Sequence, residues 1–190
     1  VERLLDATRL AGALVAGVVL RRPVRPLDDE ARRPFPGDEL LPSAKIRWTY
    51  GITIRARPSE IWPWLIQMGC RRAGWYSYDG LDNDGVPSAG RIVPELQRAE
   101  VGDVFPSEPT AEDGFVVRVV EPERALVLGD DAPPVSWAFV LEPIDAASTR
   151  LVARMRGDVK PILGLFWHPI HFGMQRLQLL NLKRRVEAAS

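Results

Sequence analysis

Apolar and polar positions alternate along the chain from Lys45 to Arg57. Ile46, Trp48, Tyr50, Ile52 and Ile54 fall on one face, and Arg47, Thr49, Thr53 and Arg55 on the other. A period of two marks a half-buried β-strand. Pro58 to Gly69 follows as a short helix stopped by Gly69, and then the ring-dense turn Gly74-Trp75-Tyr76-Ser77-Tyr78-Asp79. Asp79 to Gly90 reads as a loop. Further short strands are predicted over 101–105, 115–120, 125–129, 135–142 and 149–156. Phe115, Val117 and Val119 share a face; so do Val135, Trp137, Phe139 and Leu141, and Leu151, Ala153 and Met155, with Arg150, Arg154 and Arg156 outward. Turn residues separate these runs at hairpin spacing, so the sheet is expected to be antiparallel.

The spacing predicts one long helix over 169–189, with Pro169 at its first position and His168 as a cap or a surface residue. Ile170, Met174, Leu177 and Leu180 form one apolar stripe; Phe172, Leu179, Leu182 and Val186 form a second on the far side. A surface helix needs only one stripe, so the second needs its own cover. The simplest architecture is α+β: a curved antiparallel sheet gripping a long carboxy-terminal helix. A curved sheet and a straight helix tend to leave a cavity between them.

Several pieces resemble a known family. Ile52-Thr53-Ile54, Ile61-Trp62-Pro63-Trp64-Leu65, Gln67-Met68-Gly69 and Gly74-Trp75-Tyr76-Ser77-Tyr78-Asp79 are similar to a branch of the START-like superfamily, also labelled SRPBCC or polyketide cyclase/dehydrase-like. Arg91-Ile92-Val93-Pro94-Glu95, Val101-Gly102-Asp103, Trp137-Ala138-Phe139 and Pro169-Ile170-His171-Phe172 continue the match in order, over roughly residues 44 to 189. The resemblance implies a helix-grip fold with a ligand cavity. It is weak for activity, because the superfamily includes carriers, cyclases and hydrolases. Two positions depart from the pattern: Cys70 stands where a polar residue is expected, and His168 where an acidic one is.

The amino-terminal stretch 1–20 reads as an apolar helix. Leu10 to Leu20 is uncharged, shorter than the roughly 20 residues a bilayer span needs. Arg21, Arg22 and Arg25 follow it; if the run spans, this charge places the main domain in the cytoplasm, attached to the inner face of the membrane. Membrane contact through residues 4–20 and a helix packed on the domain are the two readings. Residues 21–44, rich in Pro and charge, read as a linker, and residues 45–190 as the START-like domain.

Composition narrows the function classes. The 190 residues carry 25 basic and 25 acidic side chains, net charge zero, and no long basic run, so nucleic acid is a poor partner. A single cysteine excludes an internal disulfide. P-loop, Rossmann and Gly-x-Ser-x-Gly motifs are missing, and His168 and His171 lack further ligands for zinc. No cofactor or metal is expected. Asp82-Asn83-Asp84-Gly85 hints at a calcium loop, but the ligand spacing fails and it reads as a solvated loop.

The candidate ligand-binding residues are Trp48, Tyr50, Trp75, Tyr78, Trp137, Phe139 and Met155: mostly inward rings, suited to a site that is chiefly apolar with a few placed polar groups. Tyr76, Asp79 and His171 are the candidates for proton transfer, since histidine titrates near neutrality. Each also has a structural reading: Tyr76 a bonded buried hydroxyl, Asp79 a turn cap, His171 a packed helix residue. Three functions remain open on this basis. The first is binding of a hydrophobic small molecule or lipid, the second a cyclase- or dehydratase-like enzyme, the third an interaction module built on the two-sided helix.

Overall fold

The computed structural model describes residues 24–107, 114–158 and 160–189. Six antiparallel strands form one curved sheet: β1 (Ile46–Ile54), β2 (Val104–Pro106), β3 (Gly114–Glu121), β4 (Ala125–Asp131), β5 (Pro134–Asp145) and β6 (Ser148–Gly157), in the order β1-β6-β5-β4-β3-β2. The helices are α1 (Pro58–Ile66), the single turn α2 (Asp79–Asp82) and α3 (Pro161–Ala189). The alternation read in the sequence sets the register. Trp48 pairs with Met155, and Met155 with Trp137, so three large side chains stand in one row across β1, β6 and β5. Tyr50, Ala153 and Phe139 form the next row.

The inner face of this sheet packs against α1 and α3 in the main core. The helix α3 contributes Leu179, Leu182 and Val186, all buried, so the stripe expected to need separate cover is the one that meets the sheet. Gln175 and Gln178 are buried on the same helix. The helix starts two turns earlier than the sequence suggests. Pro161 occupies its first turn, where a missing N–H costs nothing, while His168 and Pro169 lie inside it. His168 is therefore not a cap.

Residues 24–44, read as a linker, are instead a strap across the outer face of the sheet. Phe35 is buried there with Val127, Ala138, Val140 and Val152. The outward arginines of β6 hold the strap. Arg150 pairs with buried Glu30 at 2.7 Å, and Arg154 Nη1 donates to Asp38 Oδ2 at 2.7 Å and to the Arg33 carbonyl at 2.8 Å. Arg154 also donates to the Glu30 carbonyl, and Arg156 to the Leu41 carbonyl at 2.7 Å. Arg33 and Arg154 flank the Phe35 ring at 4.2 and 4.5 Å. Arg154 is only 1% exposed, tolerable because its donors are matched by a carboxylate and by carbonyls.

The outer edge of β1 is occupied as well. Arg25 N–H donates to the Gly51 carbonyl at 3.0 Å, Lys183 Nζ to the Thr53 carbonyl at 2.8 Å, and Arg55 N–H to Glu187 at 2.8 Å. Among the described residues no helix is long and apolar enough to cross a membrane. The run Leu10–Leu20, and with it the expected membrane contact of residues 4–20, lies outside the described residues.

Candidate functional site

Between the sheet, the aromatic turn and α3 lies a cavity of about 380 Å3 that opens to solvent. That volume is at the lower end of the range for small-molecule sites. One wall is made of three rings. Trp75 stacks on Trp137 with centroids 5.3 Å apart, and Phe115 meets both edge-on at 5.8 and 5.4 Å. Met155 from β6 and Met174 from α3 extend the apolar surface. The rings reach this wall by different routes. Trp137 follows from β5 alternation. Trp75 is carried by a tight turn in which Gly69 and Gly74, at φ +126° and +78°, bridge to each other. Its indole N–H donates to the Pro106 carbonyl at 3.1 Å.

The polar groups at the cavity are Ser77 and Asp82 from the turn, Ser107 just after β2, and His171, Gln175 and Gln178 from α3. Most are already engaged. Ser77 Oγ donates to the Met174 carbonyl at 3.2 Å, and Trp137 Nε1 donates to Gln175 Oε1 at 2.8 Å. Gln175 Nε2 in turn donates to Gln178 Oε1 at 2.5 Å. His171 Nδ1 lies 3.2 Å from the Tyr50 hydroxyl. Burial, aided by His168, pushes the His171 pKa down to about 3, so the ring is neutral at ordinary pH.

Asp82 is the exception. It is 6% exposed, and neither carboxylate oxygen has a hydrogen-bond partner. Burial first, and the Asp79 carboxylate second, push its pKa up to about 7, against a smaller downward pull from backbone groups and Ser77. A buried acid without partners is costly unless something in the cavity answers it. The Asp82–Gly85 stretch, read as solvated, thus buries both Asp82 and Asn83. Asn83 is held by accepting from Arg71 N–H at 2.9 Å and donating to the Val86 carbonyl at 2.7 Å.

Of the expected ligand-binding residues, Trp75, Trp137 and Met155 line the cavity. Trp48, Tyr50 and Phe139 form the layer behind: Trp48 and Tyr50 lie 5.1 and 5.6 Å from the His171 ring, and Phe139 4.9 Å from Trp137. Tyr78 is half-buried outside the lining. The expected proton-transfer trio is not assembled, since only His171 faces the cavity. Tyr76 is fully buried. Its hydroxyl accepts from Gln67 Nε2 at 2.7 Å and donates to the Trp64 carbonyl at 3.3 Å, and burial pushes its pKa up to about 12. Its backbone sits at φ +57°, held by Ser88 Oγ and Asn181 Nδ2. Asp79 is the turn clamp: it accepts from Ser88 N–H at 3.0 Å and from the Ser88 hydroxyl. The thiol of Cys70 is buried and its pKa raised, chiefly by burial, which leaves it a poor nucleophile. Among the described residues no group of three His, Cys, Asp or Glu could hold a metal ion.

Asp82, Ser77, Phe115, Met174 and the glutamine pair escaped sequence reasoning. The one available signal was the pair Gln175 and Gln178, polar residues three apart in a helix with apolar surface on two sides.

No family model matches the chain, and no curated protein matches it by sequence. Solved structures do match. Protein NE0264 from Nitrosomonas europaea aligns with 83% of this chain and 100% of its own, at 11% identity and a TM-score of 0.55. Protein MLL2253 from Mesorhizobium loti aligns with 76% of this chain and 99% of its own, at 16% identity and a TM-score of 0.51. The shared feature is the fold: this chain has the helix-grip architecture, a curved antiparallel sheet around a long carboxy-terminal helix.

Proposed function

We propose that the protein binds a compact hydrophobic small molecule in the cavity between sheet and α3. The observation that carries this reading is the wall of Trp75, Phe115 and Trp137 beside an open space of about 380 Å3. Burying an aromatic ligand against such rings adds stacking to area burial. The size suits a compact molecule or a single short chain better than a two-chain lipid. Native mass spectrometry of the purified protein, with an organic extract analysed alongside, tests the reading. A stoichiometric apolar compound retained by wild type and lost in Trp137→Ala is the expected result. Retention unchanged in Trp137→Ala sinks it.

A second reading is proton-transfer catalysis of the cyclase or dehydratase kind. One observation favours it: Asp82 and His171 line the same cavity with pKa values displaced in opposite directions. Environments that push two titratable groups apart suit an acid and a base. Turnover of a polyketide-type substrate that survives both Asp82→Asn and His171→Ala would discard it.

Attachment to a membrane remains a separate proposal. Ile162, Leu165 and Trp167 at the start of α3 are exposed by 59, 68 and 60%, the kind of apolar surface that partitions into a bilayer interface. Co-sedimentation with vesicles tests it: binding that persists in Trp167→Ser with Leu165→Ser rejects these side chains as the contact.

A further inference from the structure

We infer that the ligand of this cavity carries a basic nitrogen, an organic ammonium whose positive charge is met by Asp82 while its apolar body lies on the Trp75–Trp137–Phe115 wall. The inference rests on the ligand-binding reading above and names the ligand's class.

Three observations carry it. First, the carboxylate of Asp82 lines the cavity, is more than nine-tenths buried, and has no partner on either oxygen. An ammonium group supplies the donors that the protein does not. Second, the described lining residues include no Lys or Arg, and the one imidazole there, His171, is neutral. An anionic ligand would meet a carboxyl with no compensating cation. Third, the neighbouring groups are arranged for a cation. Ser77 Oγ donates to the Met174 carbonyl at 3.2 Å and stands beside Asp82, where its hydroxyl favours the ionised carboxylate and its lone pairs can accept from a cation. The wall is aromatic, and ring faces attract ammonium groups. A desolvated charge pair is tolerated when additional hydrogen bonds satisfy it, and the two Asp82 oxygens with the Ser77 and Ser107 hydroxyls are acceptors in the lining.

The titratable groups around Asp82 are Tyr78, Asp79 and Asp84 on its own turn, Cys70 and Arg71 on the adjoining turn, and His171 on the helix across the cavity. The cation among them, Arg71, is paired with Asp84 at 3.8 Å and lies outside the cavity lining. Asp82 is therefore half protonated near pH 7 in the empty site, and a bound ammonium must displace that proton at lower pH. Catalysis by a protonated Asp82 and recognition by an ionised one need opposite states of the same group, so the two are separable by pH.

The test uses three matched probes and calorimetry on the full chain: 2-(1-naphthyl)ethylamine, 2-(1-naphthyl)ethanol and 1-naphthaleneacetate. At pH 8 the amine is expected to bind at least about tenfold tighter than the alcohol, and the acid more weakly than either. Between pH 8 and pH 6 the amine affinity falls about tenfold while the alcohol affinity stays constant. Asp82→Asn removes both the amine preference and its pH dependence, and a cooperative thermal melt reports that the variant is folded. Should the variant fail to fold, the wild type alone decides. Amine binding at pH 6.5, compared in two buffers of different ionisation enthalpy, must release a proton that alcohol binding does not. Equal affinity for amine and alcohol, or an amine preference that survives in Asp82→Asn, overturns the inference while the cavity stands. Failure of all three probes to bind overturns the ligand-binding reading and this inference with it.

Discussion

The Tyr50 hydroxyl on β1 lies 3.2 Å from His171 Nδ1 on α3, tying the row of rings on the sheet to the helix that closes the cavity. The phenol is the natural donor, since burial raises its pKa and keeps it protonated, and that assignment leaves the imidazole proton on Nε2. Tyr50→Phe keeps the ring but removes the bond, and urea denaturation is expected to show a loss of about 1 kcal/mol. The depressed His171 pKa has a defined sign. The unfolded chain binds a proton below about pH 6.5 that the folded chain refuses until about pH 3, so stability falls as pH drops through this window. Nuclear magnetic resonance of the His171 ring should show no titration between pH 5 and pH 8. An ordinary midpoint near neutrality would show that solvent stabilises the charged ring at the cavity.

Asp82 acts in the opposite direction. Its pKa is raised from the ordinary carboxyl range to about 7. The folded chain therefore retains a proton between about pH 4 and pH 7 that the unfolded chain gives up, and stability is lost as pH rises through that window. Asp82→Asn removes the titration. The variant should be more stable than wild type at pH 8, on the order of 1–3 kcal/mol, and close to it at pH 4. Thermal melts at the two pH values check this; an equal difference at both would show that charge is not the cause.

Arg154 is the main anchor of the strap. Its removal leaves the carbonyls of Glu30 and Arg33 short of a donor and takes a cation from Asp38, which keeps the longer 3.4 Å ion pair with Arg156 and the Phe35 N–H at 3.1 Å. Arg154→Ala is expected to cost about 3–5 kcal/mol in urea denaturation. Hydrogen exchange should localise the loosening to residues 24–44 and the outward side of β6.

Gly51 is the close-approach point between strap and sheet. A Cβ at this position would overlap the Arg150 guanidinium and come within 2.9 Å of Glu30 Oε2. Gly51→Ala should therefore break the buried Arg150–Glu30 pair and destabilise the fold by about 3 kcal/mol, although alanine suits a strand better than glycine. A neutral or stabilising effect in a denaturant titration would show that the pair moves freely.

The strands were legible because each carries its own alternation. Leu151, Ala153 and Met155, or Trp137 and Phe139, need no knowledge of their neighbours to declare an inward face. The same signal turned Trp137 and Met155 inward, while Trp75 was legible only as part of the ring-dense turn 74–79. The strap was not legible, because its attachment depends on backbone carbonyls of Glu30, Arg33 and Leu41 received by guanidinium groups more than a hundred residues away, and no local period records that. Asp82 was hidden for a related reason. Asp-Asn-Asp-Gly has the composition of a solvated loop, and only the tertiary fold of the turn, with Asp79 clamped by Ser88 and Asn83 by Arg71, rotates Asp82 inward. The start of α3 was misplaced because Pro161 and Pro169 both satisfy the rule for a first turn.

The groups along β1 have a consequence for how copies of this chain behave at high concentration. An edge strand with free amides and carbonyls is a template on which another molecule can add a strand. Here Arg25, Lys183 and Glu187 occupy alternate backbone groups of that edge, two of them with long charged side chains from the helix. At the opposite margin β2 is three residues long and ends in Pro106, which offers no amide. Both borders of the sheet are thus poor seeds for intermolecular ladders, and resistance to fibril growth is built into the same contacts that fasten strap and helix to the sheet.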